Sequence, residues 1–411
     1  MLFRFSLYGF LKNQRYFEPF LILAFLEKGL AFFEIGLLIA FREITVILFE
    51  VPSGAIADVY GRRPVMILSF VVYIASFLTF ALADGLILLA AAMLLFGVGE
   101  AFRTGTHKAM IFAWLRMEGR IHERTRYYGY TRSWSKFGSA ASVVLAGIFV
   151  FSSDSYVTIF YFATIPYLLN IVNFLGYPAK LDEISSDRPR PNLLGHLSTT
   201  LGGTIRDAHL RRLLTESMGF EGVFHAVKDY IQPVLMAASL TTASAYVVTA
   251  GLSDPQKATL LVSPVYLVLY LLSGTASRKA HRLVDRVGTE DRAARTMWAL
   301  ATTVFGVMAV AGYYETLGWL IASFVLLHVL QNVWRPVLIS RFDAHADGSG
   351  GATVLSIESQ LRRAATMLLA PTIGFAVDLA QTSGGGLWPI GLAGACISAI
   401  FLFSHHHHTG P

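Results

Sequence analysis

Stretches of about twenty apolar residues recur from one end of this chain to the other, and few folds can accommodate them. A helix rises 1.5 Å per residue, so about 20 apolar residues cross the roughly 30 Å hydrocarbon core of a bilayer. Hydropathy and breakers divide the 411 residues into twelve such segments: 6–26, 32–57, 64–83, 86–114, 128–151, 156–177, 213–238, 258–276, 295–314, 317–340, 353–380 and 387–403. In hydrocarbon every backbone amide needs a partner within the protein, and helices meet that demand segment by segment. The expected fold class is an all-α membrane protein with twelve transmembrane helices. Only 15% of the residues are charged and 54% are hydrophobic, where soluble domains carry about 25% charge. An ordinary soluble enzyme is excluded.

The one long polar interruption, 179–212, carries Pro189, Pro191 and several charges. It separates a six-helix half at 1–178 from a second at 213–404, with a short tail at 405–411 that holds His405 to His408. Basic residues accumulate in cytoplasmic loops. With the N-terminus inside, about 20 of the 33 Lys and Arg fall in cytoplasmic segments, whereas Lys28 and Lys257 fall outside. Both termini are therefore expected in the cytoplasm. The remaining basic residues lie at nominal membrane depth, where each needs a partner or a watery cavity.

Other signals exclude more than they assign. The single cysteine, Cys396, rules out a disulfide framework. The net charge of +6 is explained by the loop bias, so no nucleic-acid partner is expected. Residues 1–10 lack a small-residue cleavage site before the charged stretch 12–18, and no cleaved signal peptide is expected. There is no Gly-Lys-(Ser/Thr) phosphate loop, no Gly-x-Ser-x-Gly elbow and no His-Glu-x-x-His pair. Neither ATP-driven pumping nor hydrolytic chemistry is indicated, and no cofactor or enzymatic activity is expected.

Between the second and third segments stands Gly54-Ala55-Ile56-Ala57-Asp58-Val59-Tyr60-Gly61-Arg62-Arg63-Pro64. Gly54 permits close helix approach, Asp58 suits a helix N-terminus, Gly61 suits a tight turn, and the two arginines suit cytoplasmic carboxylates. A basic loop obeying the positive-inside bias is the plain alternative. The run resembles the signature loop of the major facilitator superfamily. Glu50-Val51-Pro52-Ser53-Gly54, the stretch from Glu100 to Met110, and Ala352 to Ser356 followed by Ala370-Pro371-Thr372-Ile373-Gly374 and Asp378 are similar to patterns in a bacterial efflux-like set of that family. In the second half the signature survives only as Ser273-Gly274-Thr275-Ala276-Ser277-Arg278-Lys279, without the aspartate.

The resemblance implies two pseudo-symmetric six-helix halves and a midplane solute site lined by helices 1, 4, 7 and 10. Charge placement points to the same helices. Glu100, Arg103 and His107 lie at i, i+3 and i+7; Glu221, His225 and Lys228 at i, i+4 and i+7; His328, Gln331 and Arg335 repeat the first spacing. On an unbroken helix each set shares one face. The candidate cavity residues are Lys12, Arg15, Glu18, Glu100, Arg103, His107, Glu221, His225, Lys228, Asp229, Gln331, Asn332 and Arg335. Some of these are also placed for Lys and Arg to reach the interface from a helix end. Burial favours a protonated carboxyl and a nearby arginine an ionised one, so Glu43, Glu50, Glu100 and Glu221 are candidates for proton coupling. Arg42 and Glu43, being adjacent, are expected to point apart. Glu358, Gln360, Arg362 and Arg363 are as well suited to holding helices together.

The functional expectation is a proton-coupled secondary transporter of a small polar, anionic or zwitterionic solute. Export is favoured, and Gly54, Asp58, Gly61, Arg62 and Arg63 latch its cytoplasmic side. The rivals are a multidrug antiporter, a divalent-metal transporter using His107, His225 and His328, and a non-transporting membrane sensor on the same fold. The expected setting is the bacterial inner membrane, as a monomer whose partners are solute, proton and lipid.

Overall fold

The computed structural model describes residues 1–104, 106–182, 207–243, 251–345 and 351–404. The tail, most of the central loop, Gly105 and the side chain of Asp58 lie outside the described residues. Among the described residues all regular structure is helical. The helices are α1 (Leu2–Leu11), α2 (Leu21–Glu27), α3 (Phe32–Tyr60), α4 (Arg62–Leu82), α5 (Leu86–Arg103), α6 (Thr106–Met117), α7 (Arg124–Ser153) and α8 (Thr158–Leu175). After the central loop come α9 (Ala208–Val227), α10 (Ile231–Ala243), α11 (Asp254–Lys279), α12 (His281–Val287), α13 (Glu290–Tyr313), α14 (Leu317–His345), α15 (Gly351–Thr382) and α16 (Trp388–Ser404). Among the described residues eight helical stretches are long and apolar enough to cross a membrane, and α1 and α16 are shorter apolar helices.

Three segments expected to be single helices are interrupted, each where its charges fall. The first stops at Leu11 and resumes at Leu21. At this break Asn13 Nδ2 donates to Gly9 O at 2.7 Å, and Gln14 Nε2 reaches Gly138 O on α7 at 3.1 Å. Pro19, which has no N–H to offer, adds to the disruption. The fourth segment breaks at Thr104, whose extended backbone ends α5 while its hydroxyl donates to Glu100 O at 2.9 Å. The seventh breaks at a 3-10 turn over Lys228–Tyr230. Pro233, just inside α10, cannot donate to the carbonyl of Asp229 four residues earlier. Irregular backbone at membrane depth is tolerated where protein or a watery cavity surrounds it.

The chain forms two compact units of comparable size. The first comprises Met1–Leu30, Phe41–Arg188 and Ser239–Leu267; the second comprises Ala31–Ala40, Pro189–Ala238 and Val268–Pro411. In the first, α4 packs on α5 and α8, and α1 packs on α7. Hydroxyls join α4 to α5, with Ser69 Oγ donating to Gly99 O and Ser76 Oγ to Ala92 O, both at 2.8 Å. Its core is aromatic: Phe70, Tyr73, Phe77 and Phe80 of α4 meet Phe160, Tyr167 and Phe174 of α8. Between helices in lipid, such packing and hydrogen bonding replace the hydrophobic drive available in water.

In the second unit α9 packs on α14 and α15, and α13 on α14 and α16. Trp298 and Trp334 are fully buried against each other and against Phe220. At Gly391 even a methyl group would meet the backbone of Ala309, so α13 and α16 touch main chain to main chain. Asp378 of α15 accepts the N–H groups of Phe32 and Phe33 at 3.0 and 2.7 Å, capping α3 with a side chain more than 340 residues away in sequence.

Candidate functional site

The interruption at 12–20, the α5–α6 break and the inner faces of α4 and α8 gather one polar cluster in the first unit. Tyr8, Tyr73 and Tyr167 are buried there, and Lys12, Arg15, Glu18, Glu100, Arg103 and His107 are partly buried. Arg103 Nε donates to the Tyr73 hydroxyl at 3.4 Å. The rings of Tyr73 and Tyr167 lie 4.8 Å apart. Lys12 Nζ stands 5.6 Å from the centre of the Tyr8 ring, and Arg15 is 3.8 Å from Glu18. Lys12, Arg15 and Arg103 lie within one another's electrostatic reach, together with Glu100. His107 lies against Tyr8, ring centres 3.9 Å apart, and its Nε2 is 3.4 Å from the Tyr177 hydroxyl.

The three tyrosines were not among the residues expected from sequence. In an apolar helix a tyrosine reads as one more aromatic, and only the fold reveals that three hydroxyls share one site. The i, i+3, i+7 face expected for Glu100, Arg103 and His107 does not form, because the helix ends between Arg103 and Thr106. Tertiary packing brings His107 back beside Tyr8.

The second unit builds its cluster from paired charges. Glu221 is buried, accepts from Gln331 Nε2 at 3.2 Å and lies 3.6 Å from His225 Nε2. Lys228 and Asp229 form an ion pair at 2.8 Å. α9 ends at Val227, so Lys228 leaves the expected helical face of Glu221 and His225. His328 Nδ1 lies 2.8 Å from Phe324 O, and Asn332 Nδ2 donates to His328 O at 2.9 Å. Arg335 makes a two-pronged contact with fully buried Glu358, at 2.6 and 2.9 Å. Ser217 also donates to Glu358.

Nearer the start of α9, fully buried Glu216 accepts from Arg341 at 2.6 Å and from Arg212 at 3.0 Å. Arg341 also donates to Asp291 at 2.9 Å. Glu216, Asp291 and Arg341 were missed as a group; the only sequence trace of it is the i, i+4 spacing of Arg212 and Glu216.

Residues 13–371 match the sequence profile of the Major Facilitator Superfamily. The chain belongs to that superfamily. Its fold is similar to that of the nucleoside transporter NupG, with a TM-score of 0.78 and 12% identity over 99% of this chain and 98% of that one. It is also similar to a POT family transporter in complex with 5-aminolevulinic acid, with a TM-score of 0.68 and 15% identity over 100% of this chain and 96% of that one. A segment of 90 residues is 33% identical to the uncharacterized MFS-type transporter YxaM of Bacillus subtilis (strain 168), covering 22% of this chain and 23% of that protein. The chain is an integral membrane protein with the fold of the facilitator transporters.

The facilitator signature loop forms the α3–α4 corner. Gly61 takes φ +92°, a backbone that favours glycine. Gly54 has open space where a side chain would stand. Arg62 is partly buried, and Arg63 Nη1 donates to Tyr177 O at 3.1 Å, tying the start of α4 to the end of α8. In the second half, Ser273–Lys279 simply continues α11.

The expectation that Arg42 and Glu43 point apart is corrected: Arg42 Nε and Nη2 donate to Glu43 Oε1 at 3.0 and 2.5 Å. Long side chains on neighbouring residues can fold back to meet, and the buried setting of Glu43 rewards it. Glu50 is partly buried. Among the described residues no three His, Cys, Asp or Glu side chains converge as a metal-binding group.

Proposed function

We propose that this facilitator protein is a secondary active transporter that moves a small polar, anionic or zwitterionic solute by alternating access. In this reading α1 with α2, α5 with α6 and α9 with α10 make the first, fourth and seventh of twelve spans. The nine other helices apart from α12 each make one, and α12 is a short cytoplasmic helix. The chain halves at 1–178 and 213–404 are the moving parts, both termini are cytoplasmic, and the protein works as a monomer in a bacterial inner membrane. Gly54, Asp58, Gly61, Arg62 and Arg63 latch the cytoplasmic side. Export follows the resemblance of the Glu50 to Gly54 stretch to the efflux-like set.

The observation that carries the substrate class is the first unit's cluster, where Lys12, Arg15 and Arg103 lie within one another's electrostatic reach beside tyrosine hydroxyls and, among the described residues, two carboxylates, Glu18 and Glu100. Placing like charges together at membrane depth is costly unless an anion joins them. Hydrogen bonding and charge-assisted contacts would then orient a carboxylate or phosphate. Proton coupling is assigned to Glu43, Glu50, Glu100 or Glu221, of which Glu43 and Glu221 are the buried pair.

A thermal-shift screen of amino acids, dipeptides, nucleosides, nucleotides and sugar phosphates on detergent-purified protein tests the reading. Stabilisation by a charged solute is expected, followed by its pH-gradient-driven movement in proteoliposomes. Stabilisation by lipophilic cations alone, with ethidium pumped and charged metabolites ignored, would replace the reading with multidrug export. Asp58→Asn is expected to slow turnover while solute affinity stays unchanged. Undiminished turnover would remove the latch from the mechanism.

A further inference from the structure

We propose that the cleft between the C-terminal half of α7 and the N-terminal half of α11 holds one acyl chain of a zwitterionic phospholipid with an amine headgroup. The cleft has a volume of about 480 Å³, is open along one side, and lies wholly within the first unit. Val144, Ile148 and Phe151 of α7 face Leu260, Pro264 and Leu267 of α11 across it. Small residues create it: a Cβ on Gly147 would collide with Ser263, so the helices meet there while the larger flanking side chains hold them apart.

The lining suits a hydrocarbon tail and not a polar solute. Two of its three hydroxyls are engaged by their own helices, Ser152 with Phe149 O at 3.1 Å and Thr259 with Pro255 O at 2.8 Å, and the third, Ser263 Oγ, is buried behind Gly147 without a hydrogen-bond partner. Water would find at most the Ser263 hydroxyl as a partner in such a slot, and an empty one forfeits dispersion contacts along its whole wall. Both helices are apolar and long enough to cross a membrane, and the proposal sets the open side of the cleft in lipid. From Val144 to Phe151 the wall runs about 10 Å, roughly two-thirds of the ~15 Å depth of one leaflet.

The rim supplies the headgroup chemistry. Gln256 Nε2 donates to Phe151 O at 3.0 Å, tying the two helices at that end. Around this tie stand Asp154, hydrogen-bonded to Ser253, and Asp254, 3.5 Å from Lys257. Lys257 is one turn from Leu260 and thus beside the cleft mouth. With Glu27, which accepts from the Ser155 hydroxyl at 2.7 Å, three carboxylates and one ammonium complement a headgroup that carries an ammonium as well as a phosphate. A purely anionic headgroup would meet an excess of like charge.

The test uses wild-type protein in vesicles of phosphatidylethanolamine and phosphatidylglycerol. A trace of either lipid carries a photoreactive diazirine in its acyl chain, and adducts are mapped by mass spectrometry after illumination. With the phosphatidylethanolamine probe, labelling of 144–152 and 259–267 is expected to exceed that of exposed Leu168 and Val172 on α8 several-fold. Val144→Trp with Leu260→Trp, both at half-exposed positions, fills the cleft from its mouth and should bring this labelling down to the α8 level. Equal labelling of cleft and α8 would mean ordinary surrounding lipid and overturn the proposal. Equal labelling by the phosphatidylglycerol probe would overturn the headgroup assignment. Independently of any variant, native mass spectrometry of the wild type should retain bound phosphatidylethanolamine after mild delipidation, and its complete loss counts against the site.

Discussion

In the second unit, buried charge is answered by charge. Glu216 is held by Arg341 and Arg212, and Glu358 by both prongs of Arg335. The first unit also holds one such pair, Arg42 with buried Glu43, but in its polar cluster Arg103 meets a tyrosine hydroxyl at 3.4 Å and Lys12 lies over a tyrosine ring. Buried ion pairs of the first kind resist rearrangement, because removing either partner strands the other in a medium that cannot solvate it. Phenolic partners are weaker and neutral, so cations held by them keep more of their capacity for an incoming anion. On the proposed function, the contrast separates charges that fasten helices from charges that would meet a solute, a distinction that a count of charged residues per helix does not draw.

The largest effect expected from this contrast is structural. Arg341→Met should cost about 3–5 kcal/mol, since it leaves Glu216 buried with only Arg212. Thermal unfolding in detergent would show it, and adding Glu216→Gln should recover part of the loss. If the single variant melts no earlier than the double, the second unit's pairs are not fasteners.

A smaller and different effect belongs to Arg103. Arg103→Ala should weaken binding of an anionic solute by about 1.5–3 kcal/mol, the worth of a charge-assisted hydrogen bond. Titration of the solute found by thermal shift would measure it. The solute-free protein should lose less stability than it does in Arg341→Met. An equal loss would put Arg103 among the fasteners and erase the contrast. Smaller still is Tyr73→Phe, which removes one hydroxyl and should lower the same affinity by about 0.5–1.5 kcal/mol. Unchanged affinity would mean that the tyrosines only fill space.

The apolar segments, the all-helical class and the membrane setting were legible in the chain, because hydropathy over twenty residues is a sum that local detail barely alters. Family membership was legible too, in the run from Gly54 to Arg63. Much of the candidate cluster was legible as charges at membrane depth, since each such charge demands an explanation. Its partners were not. Helical spacing placed Arg103 and His107 on one face, but Thr104 breaks that helix, and their neighbourhood is re-established only by packing against α1 and α4.

Sequence alone thus determined that the chain is an all-helical membrane protein and that some of its apolar segments carry charge, for both are properties of single segments. Tertiary structure alone decided which charge meets a carboxylate, which meets a tyrosine, and where Gly147 and Ser263 let two helices close to form a cleft. The physical reason is distance. Electrostatics, hydrogen bonding and packing act over a few ångströms between residues tens to hundreds of positions apart, and no periodicity along the chain records those encounters.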